Sequence, residues 1–113
     1  MAFVEAILVA RARRRTLLDQ DLLFDPAWSM LIDLYRAALL GKSLSVTAVM
    51  IGSGVPDTTA LRYLRILEER GYVERFPDKN DRRRIHVRLS PQKFMEMADY
   101  FRSTHAALSA QTF

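Results

Sequence analysis

The sequence predicts a mainly α-helical fold carrying one small β-hairpin, an α+β architecture in a single domain. Three observations carry that prediction. Apolar residues recur at helical spacing in several separate stretches, among them Trp28, Leu31 and Tyr35, and again Ala60, Tyr63, Leu64 and Leu67. One stretch alternates instead, with Ile85, Val87 and Leu89 interleaved by Arg84, His86 and Arg88, the period of a strand. Just before it stands the turn-forming run "PDKND". The chain has 113 residues, a length for one core spanning 1–113, and 50% of them are hydrophobic, which argues against intrinsic disorder.

From Val4 to Leu18, the residues Val4, Ile7, Leu8, Leu17 and Leu18 are spaced as one helix face, with Arg11, Arg13, Arg14 and Arg15 between them. The run "RARRR" reads as a solvated helix face in preference to a phosphate contact. "DPAW" opens the next helix: Asp25 is suited to cap orphan amides, and Pro26 at the first helical position loses nothing by lacking an N–H. Trp28, Leu31, Tyr35, Ala38 and Leu39 continue it until Gly41 stops it. Trp28 and Tyr35 are read as core, with a ligand-pocket role for the pair as the alternative.

A small strand is expected from Leu44 to Val46. Ser45 and Thr47 both suit the cap of a short helix through Ala48, Val49, Met50 and Ile51, which ends at "GSG". A further helix, 56–70, opens at Pro56 or Asp57 and is ended by Gly71. Two helices joined by a tight glycine-containing turn form a helix-turn-helix. Ala60, Tyr63, Leu64 and Leu67 make the apolar stripe of the second helix. Its opposite face carries Asp57, Thr58, Leu61, Arg62, Arg65 and Glu69, and plain solvent exposure would account for that face taken alone.

A strand around Tyr72 to Phe76 follows, then the turn Pro77 to Asp81, then a second strand through Leu89. Arg82, Arg83 and Arg84 are read as the start of that strand. Ile85, Val87 and Leu89 are expected to face the core, and Arg84, His86 and Arg88 to form a cationic outer face. Ser90 caps a last helix with Pro91 at its first position, where Phe94, Met97, Tyr100 and Phe101 repeat on one face. No internal repeat, low-complexity tract or linker is visible.

Several function classes are excluded by composition. The absence of cysteine removes disulfides, thiolate metal sites, a cysteine nucleophile and thiol redox sensing. His86 and His105 lie on different elements without metal-ligand spacing, so no metal site is expected and both are read as surface or rim residues. No GxSxG, HExxH, P-loop or GxGxxG pattern occurs. "GSGVP" follows a short helix and lacks the lysine of a phosphate loop, and the neighbouring Glu68 and Glu69 diverge on their helix. No enzyme activity and no cofactor are expected. The segment "MAFVEAILVARARRR" is read as carrying no signal peptide, and no apolar run approaches the ~18 residues of a membrane span. A soluble, cytoplasmic protein without a membrane partner is the expectation.

The remaining signal is cationic. Lys and Arg number 17 against 13 Asp and Glu, with net charge +4 and pI near 9.9, and 14 of the 17 are arginine. A basic surface suits a polyanionic partner. A helix-turn-helix with a polar outer face, followed directly by a hairpin with arginines at its tip, fits double-stranded DNA. A helix enters the major groove, where donor and acceptor patterns are distinctive, and neighbouring cations neutralise phosphates.

Between Ser43 and Ser90 the chain resembles a winged helix-turn-helix regulator of the MarR (multiple antibiotic resistance regulator) type. The resemblance rests on "LRILEERGYVER", where the recognition helix passes through glycine into the first wing strand, and on "DRRRIHVRLS", which is similar to that family's Asp-x-Arg wing followed by a strand and a Ser/Thr cap. It implies a DNA-binding lobe at 43–90 in which Thr58, Thr59, Leu61, Arg62 and Arg65 face the major groove. It implies that Lys79, Arg82, Arg83 and Arg84, in a wing spanning 77–84, lie over the minor groove or backbone, with Asp81 holding an arginine rather than touching DNA. It implies a sequence-specific transcriptional regulator acting as a homodimer, joined through terminal helices at 2–20 and 91–113, in a family many of whose members bind small effectors. Both terminal helices are short beside the family pattern, which points to a smaller or rearranged dimer interface and a reduced effector cleft. The alternative is a winged-helix protein-docking module without specific DNA binding.

Overall fold

The computed structural model describes residues 25–110, with side chains from 26 to 106. The expected first helix, the 2–20 dimerisation segment and the capping side chain of Asp25 lie outside the described residues. Within them the order is α1 (Asp25–Leu39), β1 (Leu44–Ser45), α2 (Val46–Gly52), α3 (Asp57–Glu69), β2 (Val73–Pro77), β3 (Ile85–Leu89) and α4 (Pro91–Ala110). The three strands form one antiparallel sheet in the order β1-β3-β2.

The centre of the lobe is α1. Ala27, Met30, Leu31 and Leu34 lie at i, i+3, i+4 and i+7 and are buried, together with Val49 of α2, Ala60, Leu64 and Leu67 of α3, Val73, Val87 and Leu89 of the sheet, and Met97 of α4. The stripe anticipated from Trp28, Leu31, Tyr35, Ala38 and Leu39 is therefore rotated. Only Leu31 belongs to the central core, and Leu39 is 62% exposed. The reason is that α1 has two apolar faces. Trp28 and Tyr35 lie half-buried against the aromatic face of α4, with Trp28 5.8 Å from Tyr100, and Tyr35 5.3 Å from Phe94 and 5.0 Å from Phe101 between ring centroids. Offset and edge-on rings at such spacings pack favourably.

Of the two candidate caps for α2, Ser45 serves: Ala48 N–H donates to its Oγ at 3.1 Å. Gly54 turns the chain between α2 and α3 at φ +73°, a left-handed conformation that other residues adopt only with strain. At the end of α3, Gly71 has φ +75°; its N–H donates to the carbonyl of Glu68 at 3.0 Å, and Tyr72 N–H donates to that of Leu67 at 2.9 Å. This paired motif satisfies the last carbonyls of the helix and turns the chain directly into β2. Ser90 caps α4 as expected, accepting from Lys93 N–H at 3.2 Å.

The hairpin differs from expectation in three respects. Its ladder starts at the pair Pro77 and Ile85, so Arg82, Arg83 and Arg84 precede β3 and lie in the connecting loop. The chain is still turning there, because Asp81 accepts Arg83 N–H on its carboxylate and Arg84 N–H on its carbonyl, both at 3.0 Å. Ile85 is not a core residue but 36% exposed, because at the outermost pair of the ladder it borders an open groove instead of a covering element. The outer face is also not an open cationic strip. Arg88 pairs with Glu74 directly across the ladder at 3.1 Å and lies 4.7 Å over the Phe76 ring, while His86 is turned into a contact with Asp78.

Candidate nucleic-acid interface

One face of α3 is committed to the core by Ala60, Leu64 and Leu67, all fully buried. Helical geometry therefore turns the residues between them outward. Thr58, Arg62 and Arg65 are exposed, and Thr59 and Leu61 are half-buried at the edges of the same face. Asp57 and Glu69 are exposed at its two ends. Asp57 in the first turn complements the positive end of the helix dipole, whereas Arg62 and Arg65 sit in the middle, with Arg62 lying 5.4 Å over the half-buried Tyr63 ring.

The wing supplies the second group of cations. Lys79, Arg82, Arg83 and Arg84 are all exposed, and the Arg83 side chain is 94% so. Asp81 contacts Arg83: its Oδ1 accepts from the Arg83 amide at 3.0 Å and from Nε at 3.4 Å. An ion pair this exposed orients the guanidinium only weakly.

The wing backbone is shaped by Asp78, a residue that the sequence placed only in the turn. Its Oδ1 accepts from Asn80 N–H at 2.7 Å and Asp81 N–H at 3.0 Å, and its Oδ2 lies 2.7 Å from His86 Nε2. The hydrogen bond to His86 and then those to the two amides stabilise the ionised form and lower the carboxyl pKa from 3.8 to about 2. No sequence signal pointed to His86 as its partner, since eight residues and a turn separate them.

A link between the helix and the wing was also missed. Arg75, on β2, places Nε 2.8 Å from Oε2 of Glu68 in the last turn of α3, an ionic contact whose angle falls short of a hydrogen bond. On its other side Arg75 borders an open groove of about 490 Å³ between the wing and the start of α2, where Thr47, Arg83, Arg84 and Asp81 also take part. Three arginines and one carboxylate give this groove a cationic lining. The buried Lys93 was likewise not anticipated. It reaches Glu96 at 2.7 Å and lies 4.0 Å over the Tyr72 ring, packing α4 onto the end of α3.

No group of three or more His, Cys, Asp or Glu among the described residues is arranged to hold a metal. Nor is any helix among them long and apolar enough to cross a membrane.

Residues 38–77, covering the helix-turn-helix and β2, match the family model of the IclR helix-turn-helix domain. By sequence, no curated protein matches the chain. Among solved structures, a MepR variant from a multidrug-resistant S. aureus clinical isolate is 21% identical, over 75% of this chain and 60% of that one, with a TM-score of 0.61. The S. aureus MepR–DNA complex is 19% identical over 88% of this chain and 77% of that one, at 0.69. The transcriptional regulator Tm0710 from Thermotoga maritima is 17% identical over 96% and 73%, at 0.65. The chain thus spans three fifths of the first of these proteins. The structural neighbours are winged-helix regulators of the MarR type, whereas the matching family model is the IclR one. Both point to a helix-turn-helix, and the structural neighbours share the winged helix-turn-helix architecture found here. The described residues form a winged helix-turn-helix domain.

Proposed function

We propose that the protein is a sequence-specific, double-stranded-DNA-binding transcriptional regulator of the MarR type that acts as a homodimer. The observation that carries this reading is the convergence of exposed cations on two adjoining elements: Arg62 and Arg65 on α3, and Lys79, Arg82, Arg83 and Arg84 on the wing. In this reading α3 enters the major groove, with Thr58, Thr59, Leu61, Arg62 and Arg65 toward the base edges. A bidentate arginine contact to a guanine contributes about 1–3 kcal/mol of discrimination. The wing, 77–84, lies over the minor groove or backbone, and the groove bordered by Thr47, Arg75 and Arg84 runs where a strand of phosphates would pass. Asp81 supports Arg83 and touches no DNA.

The likeness to the MepR–DNA complex and the match to the IclR helix-turn-helix domain support the DNA partner. The homodimer, joined through segments 2–20 and 91–113, rests on the MarR resemblance, as does the near-palindromic site that a two-fold protein reads. A regulator of this kind works in the cytoplasm, without cofactor or catalytic step.

Selection from a random duplex pool by the purified chain, followed by gel-shift titration in salt and size-exclusion chromatography, tests this. The expected outcome is enrichment of one near-palindromic site, bound by a species of twice the chain mass, with affinity falling steeply as salt rises. Binding to no duplex even at low salt would sink the reading in favour of a protein-docking module.

A further inference from the structure

The wing loop runs from Asp78 to Arg84 and is closed at its base by the Asp78 N–H donating to the Arg84 carbonyl at 2.9 Å. Its arginine side chains are exposed, and two carboxylates organise its backbone: Asp81 accepts from Arg83 N–H on the far limb, and Asp78 shapes the near one. Oδ1 of the Asp78 carboxylate gathers the amides of Asn80 and Asp81. The torsion that aims a carboxylate is broad and close to two-fold. Both amide bonds therefore depend on something that fixes the other oxygen, and His86 Nε2 does so at 2.7 Å.

The His86 ring is itself held. It stacks on Phe76, its partner across the ladder, at 5.4 Å between centroids and 23° between planes. Phe76 in turn is covered on that face of the sheet by Arg88, which Glu74 anchors. The side chains of His86 and Asp78 keep only 14% and 21% of their exposure. An ionised carboxylate only accepts, so Nε2 carries the proton. That leaves Nδ1 buried with no hydrogen-bond partner among the described residues. A hydrocarbon ring would stack on Phe76 equally well and leave no such orphan. The imidazole is accounted for by its bond to Asp78.

We infer that His86 is the positioning residue of the wing: by aiming Asp78 it sets the loop geometry in which Arg82, Arg83 and Arg84 meet a polyanionic backbone. The second half of this inference rests on the DNA reading above; the first half does not. His86 makes no contact with DNA and acts only through the loop. If its loss leaves the loop in the binding geometry a third to a tenth of the time, the apparent Kd rises by the same factor, about three- to tenfold.

The experiment compares His86→Leu, which removes the donor, and His86→Gln, whose amide N–H can still reach Asp78. Each is made in the full chain and again in a background with Arg82, Arg83 and Arg84 all changed to Ala. Trypsin, which cleaves after Lys79 and the wing arginines, gives a DNA-free readout in the background that retains them. His86→Leu should be cut faster in the wing than the parent, and His86→Gln at about the parental rate. Equal wing cleavage of all three would overturn the positioning role, whatever DNA does.

On a short duplex followed by fluorescence anisotropy, His86→Leu should weaken binding about three- to tenfold, and His86→Gln should recover most of the loss. Neither change should matter in the arginine-free background. An equal loss in both backgrounds would mean that His86 acts through the fold at large, and overturns the inference. A parent that binds no duplex, or an arginine-free variant that binds as the parent does, would overturn the DNA half together with the proposed wing contact, while the trypsin result would still decide the first half.

Discussion

Arg75 and Glu68 tie the hairpin to α3: the guanidinium Nε on β2 stands 2.8 Å from the carboxylate Oε2 in the last turn of the helix. With side-chain exposures of 30% and 39%, the pair is only partly screened by water. A double-mutant cycle with Glu68→Ala and Arg75→Ala, read by urea denaturation, should give a coupling of about 0.5–1 kcal/mol. A coupling of zero would mean that the two elements are held by the core and by Gly71 alone.

Arg62 stands mid-helix on the exposed face of α3. Arg62→Ala should change the ranking of selected duplex sites and reduce discrimination at one base position by about 1–3 kcal/mol, because a side chain that reads a base matters only where that base is present. A variant with the parental ranking and the parental affinity would remove Arg62 from the readout.

Replacing Arg82, Arg83 and Arg84 with Ala should act differently. Phosphate contacts carry no sequence information, so binding to all duplexes should weaken alike, and the log–log salt slope should flatten by about 0.9 for each phosphate no longer neutralised. Gel shifts across a salt series measure this. An unchanged slope would place the arginines away from the backbone.

Gly71 tests the junction between helix and wing. At φ +75° an added methyl group meets no atom within 4 Å, so Gly71→Ala is penalised by backbone conformation alone. A stability loss of about 1–2 kcal/mol is expected, seen as a lower Tm in a thermal melt. No loss would show that the left-handed turn is not required.

Asp78 makes a pH prediction whose sign follows from its lowered pKa. The folded carboxyl, near 2, holds its proton less tightly than an unperturbed one at 3.8. Its contribution to stability is thus complete above about pH 4 and is lost as the pH falls toward 2, where the folded form also protonates. Urea denaturation across that range should find Asp78→Asn less stable than the parent near neutrality, with the gap closing on acidification. A gap that persists unchanged at pH 2 would detach it from the charge of Asp78.

Much of the architecture was legible because it is written in local rules. Helical and strand periods, Ser45 and Ser90 as caps, Gly71 as a stop and the "PDKND" turn each act within a few residues. Together they determined the helix-turn-helix, the hairpin, and the outward face of α3 with Thr58, Arg62 and Arg65. The exposed positions of Lys79, Arg82, Arg83 and Arg84 followed from the same rules.

Tertiary structure decided what depends on which faces meet. The apolar residues of α1 lie on two faces, and only the presence of both α3 and α4 shows that Met30 and Leu34 take the central core while Trp28 and Tyr35 pack on Phe94, Tyr100 and Phe101. Alternation in β3 assigned Ile85 inward, but a side chain is buried only if something covers it, and Ile85 borders an open groove. The contacts of Asp78 with His86, Glu68 with Arg75, and Lys93 with Tyr72 span eight, seven and twenty-one positions and cross a turn or a change of element. Their distances are set by how the chain folds back, which neither charge nor period in the sequence specifies.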